Sequence, residues 1–434
     1  MKPISFCIPT AKNEKDYIFL LLKSLTDNIE ISSHEIIIFI DTDNQNSYEE
    51  LMQFKKDKPY IKICKNPHPY MIGAQINMTV MFNEAKNDIV CYLQSDMVVG
   101  KDLDKHILNN IDENTVLSCT RIEPPLHPQS PEKIVENFGV NPEEFRYDDF
   151  NKYVAKIQSE NRADTQFYFA PFAIFKKTWF DVLGGFDTQF RCSREDSDIQ
   201  LRMQIAGLKI VQNWQACVYH FTCVSSRGKN WFKPDKAGKI QNILQQNADN
   251  EEMKRFIRKW GYYGPTSKSS YDIGLYIEID QFVDFQFLEW IEIYFKTLYL
   301  NEKYLCDELT HRIKFNSKYY CNMRWSYPDE YWESKRYLFN QDSLDNHVQY
   351  VTNPDKITND IVIQCKYSDI ITDFDQNRKN FIENISSIIE INDIGQYNVD
   401  IFQLNIKQKN DLSKSYIKTN NTKILLSDKT LIFK

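Results

Sequence analysis

The chain has 434 residues, 42% hydrophobic and 14% aromatic, with a formal net charge of −7. That is enough apolar content for two or more packed cores, and it excludes a disordered chain. No long basic block or tail occurs, so nucleic acid is excluded as the main partner. No run of about twenty apolar residues is present, so no transmembrane segment is expected. The ten cysteines are scattered from Cys7 to Cys365 without a C-x-x-C pair. This predicts a reducing compartment, with neither a disulfide framework nor a zinc site. The chain enters "ISFCIPT" at once, a stretch too short and too strand-like for a signal peptide. The expected location is the cytoplasm.

In chain order, "ISFCIPT" (4–10) reads as a short strand, followed by a helix from about Glu14 to Asn28. "EIIIFIDT" (35–42) is an almost unbroken apolar strand, as expected when both faces are covered. "IKICKN" (61–66) is a third strand. A helix over Ile72–Lys86 leads into a strand at 89–95, and a fifth strand is expected at 116–122. Such alternation predicts an α/β fold with a mostly parallel sheet and helices on both faces. A polar, Pro-containing insertion with helical patches spans about 124–164. Core-like sequence resumes at "FYFAPFAIF" (167–175), a "GGFD" turn follows (184–187), then a helix over Glu195–Ala206 and a strand over 210–221. Gly, Pro and Ser concentrate at 261–270, which sets a domain boundary there: 1–265 and 266–434. The second domain reads as a smaller α+β unit. It has a strand at "YDIGLYIEI", an aromatic-rich helical stretch over 282–300, a strand in "DIVIQCKYSDI", a helix near 376–390, and strands near 398–406 and 423–433. Phe282, Phe285, Phe287, Trp290, Tyr294 and Phe295 are either its core at helical spacing or an exposed acceptor or dimer surface.

Ligands of parallel sheets bind beyond the carboxyl ends of the strands. Polar residues gather at those ends: Thr10 and Asn13, Asp41 and Asp43, and Asp96. No Gly-rich dinucleotide or P-loop motif follows a strand. Asp96 breaks the apolar run "CYLQSDMVV" and is either a turn residue or a cation ligand. His220 closes an apolar strand, as a hydrogen-bonded core residue or as a second ligand. The loop after it, "FTCVSSRGKNW", offers Arg227 and Lys229, on an ordinary solvated loop or on one that closes over a diphosphate. Glu195, Asp196 and Asp198 fall in the first turn of a helix, where the macrodipole stabilises carboxylates. The same position keeps a carboxylate ionised and presents it at a helix end, as a general base requires.

The ordered set of these stretches resembles the family 2 glycosyltransferases with the GT-A fold, over roughly residues 3–230. "ISFCIPTAKNE" is similar to the family's opening strand and loop, and "IIIFIDTDNQ" to its second strand. "GAQINMTVMFNEAKNDIVCYLQSD" resembles the G-x-x-x-N helix leading to the metal-binding D-x-D. "GGFDTQFRCSREDSDIQLRMQIAG" resembles the acceptor-side turn and acidic E-D motif. The resemblance implies inverting transfer of a hexosyl-type group from a UDP- or GDP-linked sugar, with Mn²⁺ or Mg²⁺ bridging the diphosphate. The acceptor would be a hydroxyl of a glycan, a lipid-linked molecule or a protein. Thr10, Asn13, Asp41, Asp43, Gly73 and Asn77 would line the nucleotide pocket, and Arg227 and Lys229 would meet the diphosphate. Asp96 and His220 would hold the metal, Asp196 would be the base, and Glu195 would orient the acceptor.

Two positions depart from the family pattern. The first acid of D-x-D is Gln94, and no Arg or Lys stands just before Asn77. Gln94 motivates the alternative reading of a catalytically weak GT-A scaffold or glycan-binding module. A sugar nucleotidyltransferase is disfavoured, because "TAKNEKDY" contains no Gly. "CNMRW" lacks the Gln of the Q-x-x-R-W motif of processive membrane synthases. Homo-oligomerisation through the C-terminal domain is a further expectation.

Overall fold

The computed structural model describes residues 2–126, 129–166, 170–190, 193–222, 251–262, 269–325, 344–372, 376–419, 424–427 and 430–433. The chain divides into two compact units. The first takes Met1–Asp187, Arg202–Asn242 and Ile417–Lys434; the second takes Thr188–Leu201 and Ile243–Tyr416. Among the described residues, no helix is long and apolar enough to cross a membrane.

The first unit is built on a nine-stranded sheet. Its strands are β1 (Ile4–Thr10), β2 (Glu35–Ile40), β3 (Ile61–Lys65), β4 (Ile89–Tyr92), β5 (Met97–Val99), β6 (Thr115–Glu123), β7 (Lys133–Val135), β8 (Phe172–Phe175) and β9 (Lys209–His220). The order is β3-β2-β1-β4-β8-β6-β9-β5, with β7 on β6. β3, β2, β1 and β4 are parallel, β8 runs antiparallel to β4 and β6, and β9 is parallel to β6 and antiparallel to β5. The expected α/β class with a mostly parallel sheet is borne out. The helices α1 (Lys15–Asn28), α2 (Ser47–Lys55), α3 (Ala74–Glu84) and α4 (Leu103–Asn110) fill the crossovers, and α5 (Tyr147–Ser159) forms inside the polar insertion. All six residues of β2 are buried, as its unbroken apolar run requires.

The strand expected at 89–95 is shorter. β4 stops at Tyr92, and β5 begins at Met97 on a different partner. Between them Ser95 spends its hydroxyl on Glu14, so the chain turns and does not continue the ladder.

The second unit holds β10 (Ile273–Glu278), β11 (Thr297–Leu300), β12 (Val348–Tyr350), β13 (Ile361–Lys366), β14 (Gly395–Val399) and β15 (Phe402–Ile406), ordered β12-β11-β10-β13-β15-β14. The first four are parallel, and β15 and β14 close one edge as an antiparallel hairpin. The aromatic stretch at 282–300 is helical only in part. A helix over Phe285–Ile291 and a short turn give way to β11, whose Thr-Leu-Tyr-Leu run is wholly buried against β10. Phe287, Tyr294 and Phe295 are core residues, whereas Phe282 is 95% exposed. Strand 398–406 is two strands, turned at Asp400 with φ of +53°, a conformation that Asp tolerates. Strand 423–433 is likewise the pair β16 (Ile424–Ser427) and β17 (Thr430–Phe433).

Candidate active site

Five of the six residues expected to line a nucleotide pocket form two small clusters at the carboxyl ends of β1, β2 and β3. Asp41 is buried, and its carboxylate accepts from Asn66 Nδ2 (2.8 Å), Ile72 N (3.0 Å), Gly73 N (3.1 Å) and Asn77 Nδ2 (3.1 Å). Burial pushes this carboxyl up, and the four donors oppose that rise. Asp41 therefore shapes the turn into α3, bringing Gly73 and Asn77 together. Gly73 has φ of +95°, where an L side chain would be strained. In the outer cluster Asn13 and Asn44 bond reciprocally, Asn13 N to Asn44 Oδ1 at 3.0 Å and Asn44 Nδ2 to Asn13 Oδ1 at 2.9 Å. Asp43 accepts from Gln45 N (3.0 Å) and Tyr48 N (2.9 Å), ordering the start of α2. Partial burial would raise its pKa, but these backbone bonds hold the carboxyl below its ordinary value. The sixth residue, Thr10, is buried, and its carbonyl accepts from Asp41 N at 2.9 Å.

Asp96 and His220 meet because β5 and β9 are antiparallel with Met97 opposite His220. His220 Nε2 lies 3.6 Å from Asp96 Oδ2. Its other ring nitrogen, Nδ1, lies 2.8 Å from Glu123 Oε1. Glu123 also meets Arg121 (3.1 Å) and Lys133 (2.9 Å), and all three side chains are buried. Burial would raise the Glu123 carboxyl, but His220, Arg121 and Lys133 together hold it down at about 2. Burial pushes Asp96 up, with His220 opposing. Sequence reasoning missed Glu123. Its only mark in the sequence is an acid that closes the apolar strand "VLSCTRI" ahead of two prolines.

This geometry bears on whether a divalent cation fits. A carboxylate that takes Nδ1–H of a neutral ring would leave Nε2 as a lone pair, and Nε2 lies 3.6 Å from Asp96 Oδ2. Two ligands each about 2.1 Å from one ion lie roughly 3 to 4 Å apart. The pair fits such an ion. Among the described residues no group of three or more His, Cys, Asp or Glu side chains could hold a metal. Ions held through phosphates take most of their remaining ligands from the substrate and from water.

Glu123→Gln should lower Mn²⁺ affinity roughly 10-fold or more, measured by calorimetry. It also leaves Arg121 and Lys133 buried without their counter-charge, at a cost of about 3 kcal/mol. The folded pKa of about 2 lies below the ordinary 4.5. The carboxylate therefore contributes stability that is fully present above about pH 4.5 and is lost as pH falls toward 2. Thermal melts across that window should show this acid loss in the wild type and not in Glu123→Gln.

Glu195 and Asp196 begin the helix α6 (Glu195–Ile205) and belong to the second unit. Asp196 is exposed, and its Oδ1 accepts from Ser197 N (2.6 Å) and Ser197 Oγ (3.3 Å). Glu195 is half-buried. Asp198 is buried and accepts from Lys259 Nζ (2.6 Å) and Trp260 Nε1 (3.0 Å), so this third acid anchors the helix start. Arg227 and Lys229 lie outside the described residues.

The glycosyl transferase family 2 model matches residues 5–184. No curated protein matches the chain in sequence. Among solved structures, that of GalNAc-T7 with UDP, GalNAc and Mn2+ is similar at 13% identity and a TM-score of 0.40, over 58% of this chain and 51% of that one. That of S. aureus TarS is similar at 14% identity and a TM-score of 0.37, over 60% and 45%. The chain spans about half the length of these solved chains. Over residues 5–184 the chain matches glycosyl transferase family 2, the family that its strand-end motifs resemble.

Proposed function

We propose that the chain is a nucleotide-sugar-dependent, inverting glycosyltransferase that works with Mn²⁺ or Mg²⁺. The observation that carries this is the buried line Asp96–His220–Glu123, at 3.6 and 2.8 Å, of which Asp96 and Glu123 lie within the stretch that matches the family. Thr10, Asn13, Asp43, Gly73 and Asn77 surround the base and ribose, and Asp41 holds that pocket in shape. Arg227 and Lys229 meet the diphosphate. Asp96 and His220 hold the cation, which, when bound, neutralises charge on the leaving diphosphate. The donor is UDP- or GDP-linked, and the acceptor is a hydroxyl of a glycan, a lipid-linked molecule or a protein.

In the reaction the acceptor oxygen bonds to the anomeric carbon as the bond from that carbon to the phosphate oxygen breaks. The bonding pair leaves with the nucleoside diphosphate. Asp196 takes the hydroxyl proton, and Glu195 orients the acceptor. Residues 1–265 carry this work. The cytoplasm is its place of action, consistent with seven described cysteines that are all free and buried.

A panel of UDP- and GDP-sugars incubated with the full chain and Mn²⁺ tests the reading. At least one donor should be hydrolysed slowly without acceptor, releasing UDP or GDP. Tight nucleotide binding with no hydrolysis or transfer would favour the scaffold reading that Gln94 motivates. Neither binding nor release would remove the enzyme reading.

A further inference from the structure

We propose that Glu14 is a positioning residue that ties the turn carrying Asp96 to the loop carrying Thr10 and Asn13. The functional consequence rests on the glycosyltransferase reading; the tie itself does not. Glu14 is 2% exposed. One of its oxygens, Oε2, accepts from Ala11 N at 2.8 Å and from Ser95 Oγ at 2.6 Å. Ala11 lies between Thr10 and Asn13, and Ser95 is the neighbour of Asp96. One carboxylate oxygen thus joins two loops that lie 81 residues apart in sequence.

Helix capping does not explain this side chain. Glu14 precedes α1 but makes no side-chain bond to that helix's first turn. Its other oxygen, Oε1, is buried, and the geometry gives it no hydrogen-bond partner among the described residues. Leaving such an atom unmade costs about 1–3 kcal/mol, so the two bonds at Oε2 are kept against a local penalty. Burial pushes the carboxyl up to about 7, with the nearby Asp96 adding to the rise. Among the described residues Glu14 completes no group of three metal-ligating side chains with Asp96 and His220. Both bonds at Oε2 go to the two loops, and its role is to hold them together. Gln94 stands where the family pattern has an acid, and Glu14 brings a carboxylate to the same turn from the first loop.

Wild type, Glu14→Ala, Glu14→Gln and Ser95→Ala are compared by hydrogen exchange on the full, ligand-free chain and by calorimetry with Mn²⁺ and UDP. Glu14→Ala and Ser95→Ala should each speed exchange across residues 93–98 roughly tenfold, as expected for a lost buried hydrogen bond. Glu14→Gln keeps an acceptor for both donors and should stay within about threefold of wild type. Nucleotide affinity should fall in the same order as exchange rises. Wild-type exchange in Ser95→Ala overturns the proposal, even if Glu14→Ala does not fold. A Gln variant as damaged as the Ala variant also overturns it, because the charge itself would then be required. If the wild type binds no nucleotide while exchange responds as expected, the tie stands and the glycosyltransferase reading fails.

Discussion

On the proposed function, Asp96→Ala should abolish metal-dependent donor binding and turnover together. Loss of a partner outside the ligand shell weakens a metal site roughly 10- to 100-fold, and loss of one of two protein ligands should reach or exceed about 100-fold. The fold should survive. Asp96 lies in the turn between β4 and β5, and its apolar neighbours Leu93, Met97 and Val99 fill the core without it. Its side chain carries no ladder bond; only its carbonyl does, accepting from Phe221 N at 3.0 Å. Removing a buried carboxylate that is already pushed up by desolvation relieves a local cost. The melting temperature should thus hold or rise slightly while Mn²⁺ and UDP binding collapse in calorimetry. His220→Ala should lose the same affinity, and it also strands Glu123 beside Arg121 and Lys133. Unchanged Mn²⁺ binding in Asp96→Ala would make Asp96 a turn residue only.

On the proposed function, Asp196→Asn should leave donor binding within about twofold and cut transfer by roughly 100- to 10,000-fold, the range for losing a general base. Asn keeps a carbonyl oxygen for the bond from Ser197 N, so the helix start is preserved. What it loses is basicity. Its exposure leaves Asp196 open to an acceptor hydroxyl. Steady-state transfer rates and UDP calorimetry on one preparation separate the two effects. Wild-type transfer in Asp196→Asn removes it from the base role. Glu195→Gln should raise the acceptor KM more than it lowers kcat, as expected for an orienting side chain.

The alternation of the first half was legible because the strands are unbroken apolar runs, and β2 is buried along its whole length. Asp96 and His220 were legible singly, as polar residues closing apolar strands. Their pairing depends on the β5–β9 register, which joins segments more than a hundred residues apart. Glu123 shows the limit more sharply. It reaches His220 because β6 runs beside β9 with Ile122 opposite Tyr219, and no local pattern encodes that contact. Asp41 was legible as a strand-end acid. That its carboxylate turns inward to four donors follows from the loop into α3, whose conformation Gly73 permits. In the second unit, composition marked the aromatic stretch as apolar. It did not reveal that Thr297–Leu300 would leave the helix for a parallel strand.

The most direct measurement is a calorimetric titration of the full chain with UDP and with GDP, each with Mn²⁺ and again with a chelator. One nucleotide should bind within the roughly 1 µM to 1 mM range usual for enzyme substrates, and at least about tenfold more weakly once the metal is removed. Binding of neither nucleotide, or binding indifferent to metal, would contradict a cation held between Asp96, His220 and a donor diphosphate.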